Sequence, residues 1–179
     1  MKRQVTAALL AAGIAVGICA ATAAPAAAAT SGSETFSGTI VTSGVSGART
    51  VIHSVIIAKG VFNGVGRIVE LPNLPTDPPD VSRDDLVFPG GTMHLVSAGG
   101  DVTSFSINPH NCMIKLTLEH QTGEIVGGTG QFAGATGSSP VGTVTARGLG
   151  ARDPDGSCSM TKPLLHEVDL LASSGTLSF

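Results

Sequence analysis

Tryptophan and tyrosine are both absent from this chain, and six phenylalanines make up the whole 3% aromatic share. Charge is scarce too: 10 basic residues face 13 acidic ones, a formal net charge of −3. These absences argue against a nucleic-acid partner, because the chain has neither a basic surface to neutralise phosphates nor rings on which bases would stack. Metal-ligand spacing is also missing. There is no C-x-x-C pair, and His53, His94, His110, His120 and His166 stand singly. No metal and no cofactor is therefore expected. The G-V-S-G-A run at Gly44–Ala48 has only two residues between its glycines, so it is not a nucleophile elbow.

A hydrophobic run long enough to span a bilayer is absent as well. The one sustained apolar stretch, Ala7 to Ala21, is short and rich in Ala and Gly. It follows Lys2 and Arg3 and leads to Ala27-Ala28-Ala29, which fits an A-x-A cleavage site. This pattern predicts a secretory signal peptide over residues 1–29 and a single mature domain over residues 30–179. The mature product is expected to be secreted, either extracellular or in the cell envelope, with no membrane span. Ile18 before Cys19 argues against a lipoprotein, and there is no twin-arginine pair. Removing the signal takes Cys19 with it and leaves Cys112 and Cys158, which are expected to bond in an oxidising compartment.

What is plentiful is turn-forming residues and period-two alternation. Twenty-four glycines and ten prolines leave little room for long helices. In "TSFSIN", Thr103, Phe105 and Ile107 alternate with serines; in "MIKLTLEH", Ile114, Leu116 and Leu118 alternate with Lys115, Thr117 and Glu119. Each predicts a strand with one face in a core and the other in water. Further strands are expected in "TFSGTIVTS", "RTVIHSVIIAKGVF", "GRIVELP", "DLVFPGGTMHLVSA", "VGTVTARG" and "HEVDLLA". Between them, Leu71–Asp85 holds four prolines and four aspartates and is expected to be a solvated surface loop. Its aspartates lack the ordered spacing of a calcium loop. Glu119 and Glu124 are expected to flank a turn at "HQTG" and to sit in solvent.

The stretch "GEIVGGTGQFAGATG", Gly123–Gly137, contains the G-x-G-x-x-A spacing of a dinucleotide fingerprint. That fingerprint needs a helix to follow, so that its N-terminal amides face a pyrophosphate. Gly134, Gly137, Pro140 and Gly142 follow instead, so the match is one of spacing only. The segment resembles another signature, G-G-[TS]-G-x-F-x-G-A-x-G, that of the allene oxide cyclase and dirigent-like barrels. The resemblance runs from about Val55 to about Thr145, with "GVFNGVGRI" early and "LVFPGGTMHL" in the middle. It implies that Gly127, Gly128, Gly130, Gly134 and Gly137 serve chain reversal and close backbone approach, with Phe132 packed on the barrel. Plant allene oxide cyclases fold an unsaturated epoxide inside an apolar lumen with help from a carboxylate, and dirigent proteins use acids and a tyrosine. Tyrosine is absent here, and the only early acid, Glu34, is expected to precede the first strand, so neither catalytic set transfers.

The fold expected is all-β, a single antiparallel barrel of about eight strands, whose lumen would hold one small ligand. "TVIHSVIIA" is apolar on both parities, which suits a strand with apolar neighbours on both faces. Ile114, Leu116, Leu118 and Phe105 are the candidate ligand-lining residues. His53 and His94, each within an apolar run, are candidates for an acid or base, against the commoner role of a half-buried histidine bonded to backbone. The leading function is binding of a hydrophobic small molecule without catalysis. A cyclase or isomerase acting by confinement and a structural or cell-surface interaction protein are the alternatives. Oligomeric state is left open.

Overall fold

A computed structural model describes residues 30–179; the expected signal peptide, residues 1–29, lies outside the described residues. Nine strands follow one another: β1 (Ser31–Ser43), β2 (Thr50–Gly60), β3 (Gly64–Leu71), β4 (Val81–Phe88), β5 (Gly91–Ala98), β6 (Asp101–Asn108), β7 (Met113–Gly130), β8 (Thr136–Leu149) and β9 (His166–Ser178). All pairings are antiparallel, in the order β5-β4-β3-β2-β1-β9-β8-β7, and β5 pairs back to β7. Eight strands thus close into a barrel, and the ninth, β6, lies outside it as the partner of β7 alone. Closure satisfies every barrel strand on both sides and leaves no barrel edge exposed. No helix among the described residues is long and apolar enough to cross a membrane.

The double use of β7 explains two departures from expectation. Its first part, Met113–Glu119, pairs with β6; its second, Thr122–Gly130, pairs with β5. Between them His120 takes a φ of 59°, and the register slips on the β8 side as well. "HQTG" is therefore an irregularity inside one long strand rather than a turn. The alternation in β6 does not mark a core face either. Nearly all of that strand is exposed, because it packs on no second layer.

The two ends of the barrel differ. At one end lie the connections β2–β3, β4–β5 and β7–β8, together with the start of β1 and the end of β9. Four phenylalanines close this floor: Phe132 makes edge-to-face contacts with Phe62, Phe88 and Phe179 at centroid distances of 4.9, 5.9 and 5.4 Å. Phe132 is fully buried, as is Met93. Gly130 (φ 60°) and Gly134 (φ 81°) turn the chain tightly around Phe132. At Gly128 a Cβ would collide with the carbonyl oxygens of Thr92 and Phe132, so only glycine lets the backbones approach that closely.

The other end is the mouth, where β1–β2, β3–β4 and β8–β9 connect. Cys112 and Cys158 are bonded here, with Cα atoms 5.4 Å apart, and tie the β6–β7 turn to the long β8–β9 loop. The proline- and aspartate-rich segment also differs from expectation. Its loop ends at residue 80, and Asp84 and Asp85 belong to β4. Within the loop Asp77 receives two hydrogen bonds from Arg83, at 2.7 and 2.8 Å, and these hold its carboxyl down to about 2.

Candidate functional site: the barrel lumen

Between floor and mouth the barrel encloses a cavity of about 450 Å³. Its middle is uncharged, with apolar inward side chains such as Phe36 and Ile40 of β1, Ile56 of β2, Ile68 of β3 and Leu171 of β9 beside the hydroxyls of Thr143 and Ser173. The phenylalanines do not fill it, because four of the six are spent on the floor and Phe105 is exposed on β6.

Charged groups sit at the two ends. Near the floor, Glu34 lies within β1, in phase with Phe36 and Ile40, not ahead of the strand as expected. It is 2% exposed. One carboxylate oxygen, Oε2, accepts the Phe62 N–H at 2.9 Å; the other, Oε1, is buried and has no hydrogen-bond partner among the described residues. At the mouth, Arg49 reaches over the rim from the β1–β2 loop. Its Nη1 donates to both carboxylate oxygens of Glu70 at 2.6 Å, Nε to Glu167 at 3.1 Å and Nη2 to Asp169 at 3.3 Å. Thr42 adds a hydroxyl bond to Glu167.

One guanidinium shared among three carboxylates leaves the rim acidic. Asp84 joins them from β4, and burial, reinforced by the nearby charge of Glu70, pushes its carboxyl up to about 6 despite the attraction of Arg49. Asp169 is pushed up to about 6 in the same way, by burial first and then by Glu167, again against Arg49. Its Oδ1 is buried without a partner among the described residues. Both acids also line the cavity. Two carboxyls that change charge near pH 6 thus stand over an apolar chamber.

The residues singled out from sequence are distributed differently. Leu118 lines the lumen. Ile114, on the same face of β7 but farther out, lines a separate hollow beneath the β8–β9 loop with Met160 and Leu164. Leu116 is half-buried between them, opposite Phe105 on β6 and Ala146 on β8. Phe105 is exposed on the strand outside the barrel, away from the cavity. Neither histidine faces the lumen. His53 is exposed on β2, and His94, whose neighbours Met93 and Leu95 point inward, meets Asp85 across the β4–β5 pair at 2.7 Å.

Of the charged lumen residues, Glu34 and Asp84 were weighed in the sequence and set aside, and Arg49, Glu70 and Asp169 were not singled out. A signal was present for three of them. Glu34 shares parity with Phe36 and Ile40, Asp84 with Leu86 and Phe88, and Asp169 with Leu171. An acid in phase with apolar residues faces the core with them.

No protein-family model matches the chain, and comparison with curated proteins and with solved structures finds no significant match either.

Proposed function

We propose that this protein is an exported carrier or sensor that binds one hydrophobic small molecule in its barrel lumen, without catalysis, and that it belongs with the allene oxide cyclase and dirigent-like barrels. The observation that carries the reading is the cavity of about 450 Å³, lined along its middle by apolar side chains such as Phe36, Ile56 and Leu171 and charged only at its ends. Small-molecule sites generally take this form, with apolar walls for affinity and a few placed polar groups for orientation. A barrel filled by its own side chains would be a structural module, and here the large rings gather at one end instead. Export is supported by the leader pattern of residues 1–29 and by a bonded cysteine pair, which suits an oxidising compartment.

A second reading, a cyclase or isomerase that works by confining its substrate, is favoured by Glu34. A buried carboxyl with one free oxygen beside the chamber is placed to accept or deliver a proton.

The test is uptake of the neutral fluorescent probe N-phenyl-1-naphthylamine by the wild-type mature domain, and its loss when the chamber is filled by Leu171→Trp. Saturable binding that the filled variant abolishes, with unchanged circular dichroism, is expected. Absence of uptake by the wild type would overturn the reading in favour of a structural role. Turnover of a bound polyene that disappears in Glu34→Gln would move the assignment to the enzyme.

A further inference from the structure

Binding in the lumen leaves open which head group the ligand carries, and the charges at the mouth bear on that choice. Among the described residues, each cation that lines the cavity is already paired with a carboxylate. Arg49 gives its donors to Glu70, Glu167 and Asp169, and Arg83, the other lining cation, is held by Asp77 outside the chamber. No lysine or histidine lines the cavity among the described residues. Asp169 lines this chamber and is 8% exposed, and its Oδ1 is buried with no donor among the described residues. At the far end, Glu34 is another carboxyl rather than a cation.

An unsatisfied buried carboxylate oxygen is costly, and a ligand that supplies a charged donor removes that cost. A fatty acid would do the opposite, setting a fifth carboxyl against the rim with no unpaired cation among the described lining residues to receive it. Resting on the lumen-binding reading above, we infer that the natural ligand is an amphipathic amine, with an apolar body in the chamber and a cationic head at Asp169 and Asp84.

The charged groups facing that head come from every side of the mouth: Arg49 from the β1–β2 loop, Glu70 from β3, Asp84 from β4, and Glu167 and Asp169 from β9. Asp85 acts on Asp84 from the outer face of β4. The carboxyls of Asp84 and Asp169 lose their charge as pH falls through about 6, whereas an alkylamine stays protonated there, so the preference for an amine should fade on acidification.

The experiment is displacement of N-phenyl-1-naphthylamine by dodecylamine, dodecanol and dodecanoate, which share a chain length and differ in head group. Near neutral pH, dodecylamine should displace the probe at a concentration at least about tenfold lower than dodecanol, with dodecanoate weakest. The amine advantage should shrink severalfold near pH 5. It should also vanish in D84N/D169N, which keeps shape while removing charge. Should that variant fail to fold, the wild-type pH series decides alone. Equal displacement by the amine and the alcohol, or better displacement by dodecanoate, would overturn the inference while leaving lumen binding intact. If the probe binds nowhere in the chamber, both readings fall together.

Discussion

The floor and the mouth of this barrel are ends of the same strands, yet they are built by opposite physics. The floor is four phenylalanine rings packed edge to face around Phe132, with glycines drawing the backbone in over them. The mouth is a shared guanidinium, four carboxyls and a disulfide across two loops. Apolar packing is non-directional and closes a surface completely, whereas charged groups keep some contact with water and hold an end partly open. The difference gives the barrel a direction, with a sealed end and a polar entrance.

Breaking the floor should cost the most. Phe132→Ala removes a fully buried ring from the centre of the cluster, and chemical denaturation should show a loss of about 3–5 kcal/mol. A loss below about 1 kcal/mol would mean that the three surrounding rings close the floor without it.

Cutting the covalent tie at the mouth should come next. The Cys112–Cys158 bond closes a separation of 46 residues, for which the chain-entropy model gives about 4 kcal/mol. Cys112→Ala with Cys158→Ala should lower the denaturation midpoint accordingly, while the floor remains protected in hydrogen exchange. Equal loss of protection at both ends would show that the barrel opens as one unit.

The smallest effect is electrostatic. Asp84 and Asp169 have folded values raised to about 6, above the ordinary aspartate value, so their contribution is fully present below about pH 4 and is lost as pH rises through about 6. Stability should therefore increase by about 1–2 kcal/mol between neutral pH and about pH 4.5, after allowing for solvent screening at the rim. Asp169→Asn should flatten part of that slope. A profile that falls on acidification over this window would show that the Arg49 pairing outweighs burial.

Much of the fold was legible because alternation is a local signal. The period of two in β6 and β7 identifies strands without any partner in view, and the glycines and prolines mark where they stop. The glycine-rich segment was legible through its resemblance to the barrel signature, and Gly130 and Gly134 do take positive φ where the chain reverses. The lining was less so. Leu118 and Ile114 share a face of β7, but one opens on the lumen and the other on a separate hollow, because β7 runs past the barrel's rim. Phe105 alternates like a core residue yet lies on a strand that no second layer covers.

The sequence by itself determined that the chain is all-β; its resemblance to the allene oxide cyclase and dirigent-like barrels implied reversal at glycines around one packed phenylalanine, and removal of the expected signal peptide would leave Cys112 and Cys158 as the pair to bond. The first rests on local alternation and turn residues, and the last on simple counting. Only the tertiary structure decided that β5 returns to β7 and shuts the sheet, that four phenylalanines distant in sequence meet at one end, and that Arg49 meets carboxyls from β3 and β9 at the other. Closure joins positions far apart in the chain, and no local pattern records which of them will face one another across a lumen.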